Sequence, residues 1–211
     1  MRAEPSCPRC GAVLQPPGLW SSAWACPEHG PVPPVQPLVQ PTPEVLRAAA
    51  TDAGVPLWLP WPLPRGWLVT GVLTAGDERT GARATAVACS GPAPTGGVAE
   101  LVLVAEEMGV GLGSRFAGLE GPDAGEVPDR AIDAKIHAAH ILTAMWALEP
   151  GPDAADRAVY IGEALGCWLW VFLWPETAAF LLIGDFVLID LRNSGHALDV
   201  PCGALSPRLT G

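Results

Sequence analysis

Cys167-Trp-Leu-Trp-Val-Phe-Leu-Trp174 decides the architecture. Along an extended chain the side chains alternate, so Trp168, Trp170, Phe172 and Trp174 share one face and Cys167, Leu169, Val171 and Leu173 the other. Both faces are apolar, and the segment therefore reads as a central strand covered on both sides. A tryptophan ladder can also bind flat ligands or peptides, but two apolar faces favour burial in a core. The run is too short for a bilayer. It ends at Glu176, the next apolar run ends at Asp185, and neither approaches the roughly 20 residues of a spanning helix.

Short strands are expected on either side of it, at Trp67 to Ala75, Arg83 to Cys89, Glu100 to Ala105, Ala158 to Ala164, Ala178 to Ile183 and Phe186 to Leu191. Turn signals such as Gly76-Asp77, Gly91-Pro92, Gly151-Pro152 and Gly184-Asp185 separate them. Gly and Pro number 24 each in 211 residues, which leaves little room for long helices. Residues 130–148 fit helical and strand periods comparably, with the strand preferred. The pattern predicts antiparallel hairpins, because a parallel arrangement needs crossover helices that the sequence does not supply. The fold class is thus α+β and β-rich. A zinc ribbon (1–30) leads through a Pro-rich connector and short helix (31–55) into a mostly antiparallel sheet domain with few short helices (56–211).

The ribbon rests on Cys7-Pro-Arg-Cys10-Gly11 and Cys26-Pro-Glu-His29-Gly30. Two residues between ligands let a tight turn aim both side chains at one ion, and the following glycine can close the turn in the left-handed conformation. Cys7, Cys10, Cys26 and His29 make a closed tetrahedral set suited to one structural Zn²⁺, with no position open to substrate. Thirty residues bury too little surface to fold alone, and the metal would supply the missing free energy. Leu14, Leu19, Trp20 and Trp24 are expected to cover one side of the hairpin between the knuckles. Six prolines in residues 31–43 favour a stiff connector. A helix should follow, with Thr42 as its N-cap, Pro43 in its first turn and Gly54 at its end.

Other stretches carry weaker chemistry. The proline-aromatic run from Val55 to Trp67 cannot be a central strand and reads as a strap across a sheet, with Trp58 and Trp61 as candidate ligand or partner contacts. Gly109-Val-Gly111-Leu-Gly113-Ser114-Arg115 could cradle an anion if a helix followed it, but Arg115-Phe-Ala-Gly is a poor helix start. Arg115 is the third candidate contact. Asp133, His137 and His140 would share one helical face and could bind a second metal, but a strand disperses them. Cys89 reads as a buried thiol, its distant histidine partners including His196. Adjacent acids such as Glu106-Glu107 read as solvated, and no catalytic residue is assigned.

The net charge is −10, and residues 98–163 hold twelve acids against four bases. Such a surface repels nucleic acid and anionic lipid, including at the ribbon, where Arg2 and Arg9 only balance Glu4 and Glu28. A protein partner is the expected binding class. The opening residues contain no apolar stretch of a signal peptide, so a cytoplasmic location is expected.

The start Met1 to Gly11, Trp58 to Trp67, Ala84 to Gly91, Trp168-Leu-Trp170 and Pro201 to Arg208 together resemble an uncharacterised actinobacterial family, a domain of unknown function with an N-terminal zinc ribbon. Some of its members carry the label phosphotransacetylase, for which no motif is present. The resemblance implies a shared fold, not an activity. The reading is a non-catalytic protein-binding or regulatory module. The alternative is a small-molecule-binding protein or enzyme with a pocket near Cys89, the Gly109 to Arg115 loop and the strap.

Overall fold

The computed structural model describes residues 4–19, 21–125, 131–194 and 199–209. The elements are β1 (Ala25–Cys26), β2 (Gly30–Pro31), α1 (Pro43–Asp52), β3 (Trp58–Pro60), β4 (Leu68–Asp77), β5 (Gly81–Pro92) and β6 (Val98–Glu106). After them come α2 (Leu112–Ala117), β7 (Ala134–Ala138), β8 (Ile141–Leu148), β9 (Ala158–Ala164), β10 (Cys167–Trp174) and β11 (Val187–Asp190). β1 and β2 pair with each other, and the remaining strands form one sheet in the order β3-β11-β7-β8-β9-β10-β6-β5-β4. Its neighbours run antiparallel except β11 beside β7. The fold is β-rich and mostly antiparallel with few helices, as the sequence predicts.

β10 is the central strand, paired to β9 on one edge and β6 on the other. Its two faces belong to two cores. Leu169, Val171 and Leu173 pack in the hollow of the curled sheet with Leu46 of α1, Leu57 to Leu59 around β3, and Leu182. Trp170, Phe172 and Trp174 pack on the outer face with Leu112 and Phe116 of α2, Val35 and Leu209. Trp170, Phe172 and Trp174 of the aromatic ladder are buried, while Trp168 is half-buried at its end. Trp170 and Phe172 stack at 6.0 Å, Phe116 meets Phe172 edge-on at 5.8 Å, and the Arg157 and Arg208 guanidiniums lie 4.9 and 5.1 Å from the Trp174 ring centroid. Cation–π contacts of this kind cap an indole without leaving it a free face.

Both free edges of the sheet need cover, because unpaired strand edges invite association. β4 is covered by the connector and the C-terminal segment. Gln36 N–H donates to Thr74 O, Gly76 N–H to Pro34 O, and Val69 exchanges bonds with residues 201 and 203. The connector therefore lies against β4 and does not stand off as a free tether. α1 begins as predicted, with Thr42 Oγ1 accepting from Val45 N–H at 3.2 Å and Leu46 and Ala49 buried. The strap supplies β3, an edge strand on β11 that folds over β5 and β6. Trp67 lies flat on Gly91, where a Cβ would come within 2.4 Å of the indole.

Ala178 to Ile183 departs from expectation, because Glu176–Leu182 is a 3-10 segment. β10 already has a partner on each edge, so the chain leaving it must cross the sheet to reach β11, and it does so as a helical turn that buries Ala178 and Leu182. Residues 134–148 form the β7–β8 hairpin. Its two-residue turn holds Ala139 and His140 at φ +49° and +69°. Left-handed conformation costs a residue with a Cβ about 1 kcal/mol, and Asn-Gly is the favoured pair for such a turn. Ala139→Asn with His140→Gly should therefore raise stability by about 1 kcal/mol, measured as an upward shift in the thermal unfolding midpoint.

Candidate metal centre and its dock

The first knuckle is closed by Cys7 N–H to Ala12 O and Gly11 N–H to Cys7 O. In the second, Cys26 pairs with Gly30 across the β1–β2 hairpin. Gly11 and Gly30 both adopt positive φ, +74° and +66°, as the repeated Cys-Pro-x-ligand-Gly pattern requires. The two knuckles bring the Cys7, Cys10 and Cys26 sulfurs and a His29 ring nitrogen within 4.8 Å of one another, and all six cysteines are free thiols. Among the described residues this is the one such cluster of ligand atoms. His137 sits in β7 and His140 in the turn, whereas His196 lies outside the described residues.

The spacings fit a metal. Cys10 and Cys26 Sγ are 3.6 Å apart, and His29 Nδ1 lies 3.7 Å from Cys7 Sγ and 3.5 Å from Cys26 Sγ. A tetrahedral ion with metal–sulfur bonds of about 2.3 Å and a metal–nitrogen bond of about 2.05 Å has edges of about 3.6–3.8 Å. The thiols are electrostatically unlike. Burial pushes Cys7 up to about 11. At Cys26 burial acts in the same direction, but the N–H groups of Glu28 and His29 and the His29 ring outweigh it and bring the thiol down to about 6. Cys26 is thus largely a thiolate at neutral pH, while Cys7 must lose a proton on coordination. A metal bound here is held more tightly as pH rises through neutrality.

Leu14, Cys7, Cys26 and Val32 form the small ribbon core, with Trp24 packed against it. Leu19, expected to join them, instead stands 98% exposed at the Gly18–Ser21 turn. At this end the hairpin is two strands wide, and no described residue covers Leu19. Trp20 lies outside the described residues.

The ribbon is bolted to the sheet domain by arginines from both sides. Arg9 donates from Nη2 to Gly109 O at 2.5 Å and from Nε to Val110 O at 3.3 Å. Arg115 of α2 donates from Nη1 to Cys7 O at 3.1 Å, and Arg79 donates to Ser22 O. The Arg115 guanidinium lies against Gly11, at ordinary contact distance from where a Cβ would stand. Burial works against the Arg115 charge, and the thiols of Cys7 and Cys10 support it.

The glycine-rich loop has a helix after it, α2, contrary to the reading of Arg115-Phe-Ala-Gly as a poor start. The loop does cradle an anion, and that anion is the protein's own Glu106. Oε2 accepts from Gly111 N–H (3.0 Å) and Leu112 N–H (2.7 Å), and Oε1 from Gly113 N–H (3.1 Å). Glu106 is fully buried, so reading it as a solvated acid is wrong. Gly113 is dictated by contact with Trp170, since a Cβ would come within 2.3 Å of the indole.

Of the other candidates, Trp58 is a core residue, 1% exposed. Trp61 is half-buried against the same core, and Arg115 is engaged with the ribbon. Cys89 is buried, and burial drives its thiol far above the usual range. Trp58, Cys89 and the glycine-rich loop are thus taken up in packing or in the Glu106 cradle, whereas Arg115 both ties the ribbon and lines a cleft of about 400 Å³ with Ser6, Gly11 and Asp153. No helix among the described residues is long and apolar enough to cross a membrane.

A mostly antiparallel sheet carrying a Cys₃His ribbon defines the class of protein. Over residues 1–209 the chain matches the family of unknown function DUF6758, and it belongs to that family. No curated protein matches the chain. No solved structure matches it either.

Proposed function

We propose that the chain is a non-catalytic protein-binding module whose N-terminal ribbon is set by one structural zinc ion. Zinc suits the donor set. Three thiolates and an imidazole are the soft, four-coordinate combination it takes in structural sites, whereas a rubredoxin-type iron site wants four thiolates. With four protein ligands no coordination position is left for substrate. The observation that carries the binding role is Leu19, 98% exposed at the tip of the hairpin, with Val13 exposed on the same hairpin and three arginine ties holding the ribbon to the sheet domain. Leu19 and Val13 together give the hairpin exposed apolar surface on a tethered support, the kind of surface a partner can cover.

Two measurements test this reading. Elemental analysis of carefully prepared protein should give one zinc per chain, and less than about half an equivalent removes the structural-zinc claim. Native pull-down should retain a stoichiometric protein partner that is lost with Leu19→Asp, while zinc content and unfolding midpoint stay unchanged. A partner kept by Leu19→Asp, or a retained small molecule in place of a partner, defeats the ribbon-tip reading.

A further inference from the structure

We propose that the groove between the Glu176–Leu182 segment and strands β7 and β9 docks a basic, amphipathic segment of a partner protein. The site is separate from the ribbon. The groove has a volume of about 650 Å³, with Ala134, Tyr160 and Leu182 along its floor, Phe180 and Ile183 at its lip, and Asp133 and Glu176 as its charged groups.

The crossing segment needs Ala178 and Leu182 for the core, and both are buried. It has no such use for Phe180 and Ile183, which remain 53% and 74% exposed. Their backbones are joined, with Ile183 N–H donating to Phe180 O, so the two apolar side chains are presented on one tightened turn. The acids converge on the same space. The Tyr160 hydroxyl is held above its ordinary range by burial and by the negative charges of Asp133 and Glu176. Asp133 is oriented by Ala147 N–H, which donates to Oδ2 at 2.9 Å. Glu176 makes no ion pair among the described residues, and no Lys, Arg or His is among the described residues that line the groove.

Charge and shape together select the occupant. An apolar floor beside the exposed Glu176 carboxylate matches Lys or Arg, whose aliphatic stems cover apolar surface while the heads reach charged groups. Leu or Phe neighbours of those bases would cover Phe180 and Ile183. The chain's charge of −10 repels acidic partners and steers basic ones in.

The test uses the full, metal-loaded chain and two fluorescein-labelled peptides, one of repeated Leu-Lys-Lys-Leu and one of repeated Leu-Glu-Glu-Leu, read by anisotropy. The basic peptide should bind saturably and the acidic one should not. Glu176→Gln combined with Ile183→Ser should weaken binding about tenfold or more, and Phe180→Ser alone should act in the same direction should the double variant fold poorly. Glu78→Gln, an exposed acid outside the groove, and Leu19→Asp on the ribbon should leave affinity within about twofold. Failure of the basic peptide to bind overturns the proposal. So does equal binding of the acidic peptide, or binding reduced as much by Glu78→Gln as by the groove variants. None of these results touches the ribbon reading, which stands or falls on zinc content and Leu19.

Discussion

Glu106→Ala should cost the fold about 3 kcal/mol at neutral pH, seen as a fall in the urea midpoint. The carboxylate terminates β6 on the outer face of the sheet and accepts from three consecutive N–H groups at the start of α2. A short helix has few other means of satisfying its first donors, and alanine would leave all three buried and unpaired. Glu106→Gln keeps one acceptor oxygen but turns an NH₂ towards an N–H, so it should cost less than alanine but more than nothing. Burial pushes the Glu106 carboxyl up to about 7 against the pull of those donors. A native state that holds a proton the unfolded chain has released loses stability as pH rises through the interval between the two pKa values. The wild-type protein should therefore lose stability from about pH 4.5 to about pH 7 relative to Glu106→Gln, which cannot ionise. Parallel stability curves for the two proteins across that window would show that Glu106 does not titrate there.

Glu106 also shows where the sequence was legible and where it was not. Along β6, Leu101, Leu103 and Ala105 line the hollow, while Val102, Val104 and Glu106 face outward onto α2. An acid at the end of an apolar face, followed within a few residues by Gly-Val-Gly-Leu-Gly, was the available signal that the loop closes on an internal anion. Its neighbour Glu107, which is exposed enough to pair with Arg83 at the surface, masks that signal. What was readable was local or periodic. The alternation of Cys167 to Trp174 located the central strand, the two Cys-Pro-x-ligand-Gly knuckles assembled the ligand set, and Thr42-Pro43 marked the start of α1.

Features that depend on distant parts of the chain could not be read in this way. An apolar stretch such as Ala178 to Ile183 reads as a strand until one knows that both edges of β10 are taken. Arg9 and Arg115 are separated by over a hundred residues, and only the folded sheet brings the β6–α2 loop against the first knuckle. Trp58 and Arg115 attracted attention as large, chemically capable side chains, and the structure uses the first as packing and the second as a strut.

That strut leads to the second large effect, on metal affinity. Zn²⁺ bound at this site by three thiolates and a neutral imidazole would carry a net charge of −1. Arg115, largely buried, donates to Cys7 O, and its charge is supported by the Cys7 and Cys10 sulfurs. A buried guanidinium without a counter-charge is costly, and so is a buried anionic metal–thiolate centre without a cation, so each lowers the cost of the other. Arg115→Met, which keeps bulk but no charge, should weaken zinc binding about 10- to 100-fold in competition with a chromophoric chelator, the range typical for groups that support metal ligands. Arg115→Lys should recover part of the loss through its charge, though not the fixed planar geometry of the guanidinium. Chelation of zinc from the metal-loaded wild-type chain should loosen the ribbon and leave the sheet intact. Backbone amides of Cys7, Gly11 and Leu14, and that of Val35, which donates to Ser6 O, should lose hydrogen-exchange protection, while the amides of β5, β6 and β10 keep theirs. If Arg115→Met binds zinc as tightly as the wild type, the arginine is a steric prop alone. If chelation releases β6 and β10 together with the ribbon, the metal supports the whole sheet and not only its N-terminal arm.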